Sequence, residues 1–203
     1  MFMNTDMIHA TKMNIPMRNI RKLILAAVLL LPLNVAAQTY TALWAQEQAA
    51  EKKDLPKTQL DVLRKIAAKA AGEKAYGQLM KAELKSMAVE SGVSPDSLMP
   101  ALRRMETRER MEADDVAKAV YAAVLYRIYT DNARQIGEGS DTAAARYRRL
   151  AMAVPEKLAA AKGSDYEPLV ERGYNASVFG GDMLSVVGYE VEDFMTMWKW
   201  YKT

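Results

Sequence analysis

The sequence of 203 residues contains no cysteine and only one histidine, His9. Without cysteine, the chain cannot form a disulfide, a Cys-His nucleophile or a cysteine-ligated zinc or iron site. It also cannot be anchored through a lipid on a cysteine side chain. A single histidine close to the amino terminus leaves little room for a Ser-His-Asp triad or a histidine-ligated metal. These absences point away from the commonest catalytic and metal centres.

The sequence also lacks an apolar run long enough to cross a membrane comfortably. The main run, LILAAVLLL at residues 23–31, is shorter than the ~20 residues that a transmembrane helix needs. Basic side chains precede this run and small side chains follow it: Arg18, Arg21, Lys22, Val35 and Ala37. That order is typical of a secretory signal peptide cleaved after Ala37, and an uncleaved anchor is the alternative. We therefore predict a signal peptide at residues 1–37 and no membrane span after its removal. The remainder is expected to be exported to the periplasm, the cell envelope or the medium.

The segment before Arg18 is unusually long for a signal peptide and contains five methionines, which are Met1, Met3, Met7, Met13 and Met17. Translation from Met17 would give a signal peptide of ordinary proportions. We therefore expect that residues 1–16 reflect a misassigned gene start. The intact mass of the unprocessed precursor would test this.

The positive charge of the chain belongs to the predicted signal peptide. The chain has 28 basic and 25 acidic residues, and residues 1–37 hold four of the basic and one of the acidic residues. The remainder therefore has 28 − 4 = 24 basic and 25 − 1 = 24 acidic residues, a formal net charge of zero. Because no overall positive field remains, nucleic acid is not an expected partner. His9 is also removed, so we predict a non-enzymatic protein without catalytic, cofactor-binding or metal-binding residues.

Residues 38–203 carry helix signals and no credible pair of strand signals, and we expect them to form one domain. A first helix is expected at residues 39–53. The next begins at Asp54-Leu55-Pro56, with proline in the first turn, where its missing N–H costs nothing. Apolar residues then recur at helical spacing, as Leu60, Leu63, Ile66, Ala67 and Ala70. A second stripe ends near Gly92 and contains Tyr76, Leu79, Met80, Leu84 and Met87.

The same pattern continues toward the end of the chain. Start signals at Ser94-Pro95, Asp114-Asp115 and Ser140 precede three apolar stripes, which are Leu98, Leu102 and Met105; Val116, Val120, Val124, Leu125 and Ile128; and Ala145, Leu150 and Val154. Two closing helices are expected, at residues 183–189 and 191–201. Short connections between successive helices favour antiparallel hairpins. We therefore predict an all-α fold of helical hairpins, arranged as a bundle or as a TPR-like array.

Three motifs that resemble chemical sites are better explained as structure. The paired carboxylates Asp114-Asp115 and Glu192-Asp193 lie where helices are expected to begin, and acidic side chains there satisfy free N–H groups. Adjacent residues also diverge around a helix, so neither pair forms a two-carboxylate site by itself. Gly180-Gly181-Asp182 follows no strand and lacks the Lys-Ser/Thr continuation of a phosphate-binding loop. We interpret it as a turn in which Asp182 caps the next helix.

Arginines cluster in two of the predicted helices. The first group alternates with glutamates, which is typical of a solvated face with paired side chains, and comprises Arg103, Arg104, Arg108 and Arg110 with Glu106, Glu109 and Glu112. The second group is less balanced and consists of Arg146, Arg148 and Arg149, with Tyr147 among them. A contact patch at the second group is the alternative to ordinary basic surface.

The last predicted helix is the most aromatic part of the chain. Phe194, Met197, Trp198 and Tyr201 follow an i, i+3, i+4, i+7 pattern, and Trp200 lies beside them in the sequence. An apolar face of this size either docks into its own domain or forms an interaction surface. We predict that these five residues are a partner-packing surface, either for another protein or for domains that follow in a longer chain.

Four segments together resemble the helical amino-terminal region of large alpha-2-macroglobulin-like proteins exported by bacteria of the Bacteroides group. They are DLPKTQLDVLRKI (54–66), EKAYGQLMKAELK (73–85), VSPDSLMPALRRMETRE (93–109) and DMLSVVGYE (182–190). The resemblance spans about residues 40–203 and consists of packing motifs in a given order. It implies a helical head of a multidomain protein related to protease-trapping inhibitors. The internal thioester of that family needs a cysteine, which this chain lacks, so no family site transfers to a residue here.

Two functions therefore remain open from the sequence. The first is a non-catalytic exported interaction or scaffold domain that resembles such a head and is truncated from a larger protein. The second is a stand-alone periplasmic helical-repeat adaptor that binds a protein or peptide through a concave face. A carboxylate-dependent hydrolase is a third hypothesis, and it would need two carboxylates that converge in a cleft.

Overall fold

A computed structural model describes residues 38–170 and 181–192 of the chain. Within these ranges the regular structure is helical, and most connections between helices are short. The α-helices are α1 (Tyr40–Lys52), α2 (Pro56–Glu73), α3 (Tyr76–Val93), α4 (Leu98–Met111), α5 (Asp115–Asp131), α6 (Ala133–Ile136), α7 (Ser140–Ala151), α8 (Pro155–Ala160) and α9 (Met183–Val191). Two short 3-10 helices lie at Pro95–Ser97 and Gly163–Tyr166.

The prediction of an all-α fold is confirmed for these residues, which contain no β-strand and one isolated bridge between Lys162 and Asp182. The TPR-like arrangement stays a prediction. The signal peptide also stays a prediction, because residues 1–37 lie outside the described ranges. Among residues 38–170 and 181–192, no helix combines the length and the apolarity that a membrane span requires.

Several helix boundaries follow the local signals in the sequence. α2 begins at Pro56, which occupies the first turn as expected. α5 is capped by Asp114, whose Oδ1 accepts a hydrogen bond of 2.8 Å from the backbone N–H of Ala117. α9 is capped in the same way by Asp182, which accepts a 2.8 Å hydrogen bond from the N–H of Ser185. Both carboxylates therefore act as N-caps, and the structural interpretation of their motifs is confirmed.

The buried apolar side chains form two clusters. The smaller cluster lies between α1, α2 and α3 and consists of Leu43, Val62, Leu63, Ile66 and Ala82. The larger cluster extends from α3 to α9 and includes Met80, Leu102, Leu125, Leu158 and Met183. Along the chain, α1 packs on α2, α2 on α3, α3 on α4 and α4 on α5, and α5 also packs on α7. The longer helices thus bury their apolar stripes against neighbours, which stabilises the fold by ~25 cal/mol per Å² of apolar surface buried.

Tyr147 lies in the larger cluster, although the sequence pattern placed it in a surface patch among arginines. Its ring stacks on the ring of Tyr129 at a centroid distance of 5.7 Å, and its hydroxyl donates to Oε1 of Glu106 at 3.0 Å. A tyrosine has an apolar body and a polar tip, so it can be buried between charged neighbours when its hydroxyl finds an acceptor. Ala145, which was expected to face inward from the same helix, is exposed instead.

α9 continues through Val191, two residues beyond the predicted boundary at Tyr189. Glu192 follows in an extended conformation, and its carboxylate pairs with Arg148 of α7. The predicted closing helix at residues 191–201 therefore does not begin at Val191, and its remaining residues from 193 onward lie outside the described ranges.

α3 passes very close to the loop that contains the second 3-10 helix. A Cβ atom at Gly77 would lie 2.1 Å from the backbone oxygen of Tyr166, so α3 needs a glycine at this position. One residue earlier, the ring of Tyr76 stacks on the ring of Tyr166 at 6.3 Å. Lys81 donates from Nζ to the backbone oxygen of Pro168 at 3.2 Å. These contacts hold the loop against α3.

Candidate protein-binding groove

A groove runs along the surface of the protein where α2 and α4 flank α3. Its volume is about 340 Å³, at the small end of the ~300–1,000 Å³ range of ligand pockets in proteins. Three helices line it, with Leu60, Arg64 and Ala67 from α2, Glu83, Ser86, Met87 and Glu90 from α3, and Ala101, Arg104, Met105 and Arg108 from α4. We call this surface the α2–α4 groove.

Helical periodicity explains why these side chains share one surface. The lining positions follow i, i+3, i+4, i+7 on α3 and α4, and i, i+4, i+7 on α2. This spacing places each set on a single face of its helix. Seven residues rise about 10 Å along an α-helix, so the groove is about two helical turns long. A surface of this length spans about two turns of a helix or about three residues of an extended chain.

The floor of the groove is apolar. Met87 and Met105 are 9% and 5% exposed, so both are close to fully buried. Leu60 and Ala67 lie half-buried at the edge, although the sequence pattern assigned both to the buried stripe of α2. The neighbours of α2 cover most of that stripe and leave this edge open. Methionine is unbranched and flexible, so a floor of this kind can adapt to the shape of an apolar side chain.

An ion pair between α3 and α4 lies at each end of the groove. Arg104 pairs with Glu90, and Arg108 donates from Nε to Oε1 of Glu83 at 3.1 Å. Both arginines are exposed, as a solvated face predicts, but their partners do not lie within α4. Their partners come from the neighbouring helix, and this pairing fixes the guanidinium groups beside the floor of the groove.

Glu83 is the least exposed charged side chain of the groove. The hydroxyl of Tyr121, which comes from α5, donates to its Oε2 at 2.9 Å, while Arg108 contacts its Oε1. Burial raises the pKa of Glu83 above its usual range, and the hydrogen bonds from Tyr121 and Arg108 oppose that effect. Both carboxylate oxygens of Glu83 are thus occupied by the protein itself.

The arginines are the most exposed charged groups of the groove. The side chains of Arg64, Arg104 and Arg108 are 70%, 60% and 46% exposed, whereas those of Glu90 and Glu83 are 30% and 20% exposed. Each guanidinium has five N–H donors, and the ion pairs occupy some of them. A partner that approaches the groove therefore meets donors of positive charge around an apolar floor.

A second, shallower depression lies on the outer face of α7 and is lined by Asp141, Thr142, Ala145, Arg148, Arg149 and Met152, together with Glu192. It includes part of the contact patch that the sequence offered as an alternative. Arg148 donates from Nε to the backbone oxygen of Val191 at 2.9 Å and pairs with Glu192. Arg146 lies over the ring of Tyr147, 5.1 Å from its centroid. Because these arginines help to hold α9 and the buried tyrosine, the α2–α4 groove is the stronger candidate.

The buried carboxylate of Glu47 serves the fold. Glu47 of α1 is fully buried, where it accepts a 2.6 Å hydrogen bond from Gln59 and pairs with Lys85 at 2.8 Å. It lines neither depression. Residues 38–170 and 181–192 contain no cluster of acidic side chains suited to a metal ion. In the groove, Glu83 and Glu90 are each paired with an arginine, which does not favour the hydrolase hypothesis.

The partner-packing surface predicted from the sequence lies outside the described residues and stays a prediction, for Phe194, Met197, Trp198, Trp200 and Tyr201. The α2–α4 groove was not predicted. Its one signal in the sequence is the pair Arg104 and Arg108, one helical turn apart, and alternation with glutamates concealed that signal. That α3 supplies the pairing glutamates for these arginines can be recognised only from the packing of α3 against α4.

Comparison of the chain with models of protein families, with characterised proteins and with solved structures finds no match. The resemblance to alpha-2-macroglobulin-like proteins accordingly stays a prediction.

Proposed function

We propose that this protein is a non-catalytic, exported helical interaction domain that holds a segment of a partner polypeptide in the α2–α4 groove. The observation that carries this proposal is the composition of the groove, with Met87 and Met105 in its floor and the exposed arginines Arg104 and Arg108 on its rim. A desolvated apolar centre with a polar rim is typical of protein-binding surfaces, and arginine and methionine are enriched there.

Two features of the sequence support the non-catalytic and exported parts of the proposal. After residue 37 the chain contains neither histidine nor cysteine, which removes the most frequent general bases and nucleophiles. The order of basic, apolar and small residues before position 38 supports export. Sequencing the amino terminus of the exported protein is expected to return Gln38 as the first residue, and an amino terminus upstream of residue 23 would contradict a cleaved signal.

Two origins of this domain are proposed, and the first follows from the four segments that resemble alpha-2-macroglobulin-like proteins. In the first form of the proposal the chain is the head of an alpha-2-macroglobulin-like protease-inhibitor protein, and its partner is a downstream domain of that protein. In the alternative it is a stand-alone periplasmic adaptor for another protein or peptide. Gene context separates the two, because macroglobulin-coding sequence directly downstream supports the first and a complete short gene supports the second.

Site-specific photocrosslinking tests the groove itself. A photoreactive amino acid replaces Ser86, which lies in the groove, and in a matched variant replaces Ala71, which is exposed on α2 outside it. In cells that export the protein, we expect a defined crosslinked polypeptide from position 86 and none from position 71. Adding Met87→Asp to the first variant is expected to abolish the product, because a charge would then occupy the apolar floor.

The proposal fails if both positions give the same products, or if Met87→Asp leaves the product of position 86 unchanged. Circular dichroism of each variant establishes that its helices are intact. Mass spectrometry of the crosslinked product identifies the partner and the segment that lies in the groove.

A further inference from the structure

We propose that the segment held in the α2–α4 groove is an acidic amphipathic helix with two carboxylates one turn apart. This inference rests on the proposed function and adds the chemistry of the partner. The carboxylates would contact Arg104 and Arg108, and the apolar face of the helix would lie on Met87 and Met105. A third carboxylate on the opposite flank would reach Arg64.

The spacing of the arginines fits a helix, and the absence of a sheet edge from the described residues favours one. Arg104 and Arg108 are four residues apart on α4, which corresponds to a rise of about 6 Å. Two glutamates at i and i+4 of a partner helix have the same rise, so both pairs form without distortion of either helix. Alternate side chains of an extended strand lie about 6.6 Å apart, so the spacing alone fits a strand nearly as well. A helix is favoured because it satisfies its own backbone hydrogen bonds, whereas an extended segment needs a sheet edge to pair with, and the described residues contain no β-strand.

The ion pairs within the groove leave the arginines able to bind a second carboxylate. Arg108 contacts Glu83 through Nε, and Arg64 contacts Asp61 through Nη1. A guanidinium offers five donors in a planar fork and commonly binds carboxylates through two of them. The acidic side chains therefore position the guanidinium groups without occupying all five of their N–H donors.

The apolar floor favours a peptide over a nucleic acid. Phosphate groups would be drawn to the arginines, but the bases would need aromatic side chains on which to stack. The lining of the groove contains no aromatic residue, and Glu83 and Glu90 lie directly beside the arginines. A helix that places apolar residues at i, i+4 and i+7 matches both the two-turn length and the apolar floor.

A designed peptide tests this inference without knowledge of the natural partner. The probe is a fluorescent, side-chain-stapled helix of about three turns, with leucines on one face and two glutamates one turn apart on its flank. Its matched partner carries glutamine in place of both glutamates. We expect fluorescence anisotropy to show binding of the acidic probe to the purified protein, and binding weaker by roughly tenfold or more for the glutamine probe. Added salt is expected to weaken the acidic probe selectively.

Two double variants of α4 are compared, one that removes arginines of the groove and one that removes arginines outside it. Arg104→Gln with Arg108→Gln is expected to weaken the acidic probe by roughly tenfold or more, because both rim charges are lost. Arg103→Gln with Arg110→Gln removes two charges from the same helix outside the groove and is expected to leave affinity within about twofold. Circular dichroism checks that each variant is folded.

Three results would overturn the inference. Equal binding of the acidic and glutamine probes would show that the groove binds apolar segments irrespective of charge. Absence of binding by both probes, with crosslinking from position 86 intact, would reject the acidic helix and leave the proposed function standing. Concentration-dependent self-association that Met87→Asp abolishes, measured by sedimentation, would identify a second copy of this chain as the occupant.

Discussion

Glu109 of α4 is 1% exposed, and its Oε2 atom has no hydrogen-bond partner among the described residues. A buried carboxylate oxygen that has lost water and gained no partner lowers the stability of the fold. The sequence pattern placed Glu109 on a solvated face because it alternates with arginines. The packing of α4 against α3 and α5 encloses it instead.

Replacing Glu109 with methionine is therefore expected to stabilise the protein. Methionine has a similar length and no charge, so Glu109→Met should raise the free energy of unfolding by about 1–3 kcal/mol. Urea unfolding measures this change. The control Glu138→Met, at an exposed position, is expected to change the same free energy by less than about 0.5 kcal/mol. A marked loss of stability at position 109 would show that its carboxylate is bound by a group outside the described residues.

At the scale of single residues, the sequence predicted the features that depend on local structure, which are burial within a helical stripe and helix capping. Leu98, Leu102 and Met105 were expected to be buried and are buried, and Asp114 was expected to begin a helix and caps α5. These outcomes follow from helical periodicity and from hydrogen bonds within one turn. The acceptors of distant tyrosines and the partners of Arg104 depend on which helix lies beside them, and a single segment of sequence does not contain that information.

At the scale of the helix, α4 shows why a polar stripe is harder to interpret than an apolar one. One face of α4 enters the larger cluster, a second carries Arg104 and Arg108 into the groove, and a third directs Glu106 toward α5 and α7. An apolar stripe has one favourable environment, which is the core. A polar stripe can meet water, a partner helix or a ligand, so the existence of α4 was predictable from its spacing and the role of its arginines was not.

The contact between α3 and the 163–168 loop predicts that adding one methyl group at Gly77 destabilises the protein. Gly77→Ala would place a Cβ atom 2.1 Å from the backbone oxygen of Tyr166, and a backbone atom cannot rotate away as a side chain can. We expect a loss of about 1–3 kcal/mol in the free energy of unfolding. The matched variant Gly72→Ala in α2 meets no atom within 4 Å and should gain about 0.5–1 kcal/mol, because alanine favours the helix.

Urea unfolding of both glycine variants, with the wild type beside them, measures the two changes. If Gly77→Ala is as stable as Gly72→Ala, the loop does not rest on α3 in solution. The opposite signs expected for the same substitution separate the effect of close packing from the general effect of replacing glycine in a helix.

At the scale of the whole molecule, tyrosine hydroxyls donate to glutamates of other segments at five places in the described ranges. The pairs are Tyr40–Glu73, Tyr76–Glu112, Tyr121–Glu83, Tyr129–Glu106 and Tyr147–Glu106, with oxygen–oxygen distances of 2.7–3.2 Å. Hydrogen bonds to a charged acceptor contribute more than those between neutral groups. In a chain without cysteine, these bonds link helices without any disulfide.

The tyrosines make stability sensitive to alkaline pH. Burial and the neighbouring carboxylates raise the pKa of Tyr76 and of Tyr129 from 10.0 to about 12. The pKa values of Tyr40, Tyr121 and Tyr147 are raised for the same reasons. The unfolded chain therefore releases these protons first. The stabilisation is complete below pH 10 and falls as the pH rises through 10 toward about 12.

Spectrophotometric titration of tyrosinate, together with urea unfolding at several pH values, measures this dependence. We expect most tyrosines to ionise above pH 10 and in step with the loss of helical circular dichroism. Ionisation of all tyrosines near pH 10 with the helical signal intact would contradict the buried hydroxyls.

Two of the tyrosine–glutamate bonds join helices that are not consecutive in the chain. Tyr121 joins α5 to α3, and Tyr147 joins α7 to α4. In a strictly linear stack each unit contacts its immediate neighbours, and the ends can fray independently of the middle. Because these hydrogen bonds connect non-consecutive helices, we expect the protein to unfold cooperatively. Circular dichroism and intrinsic fluorescence should then report a single thermal transition with the same midpoint.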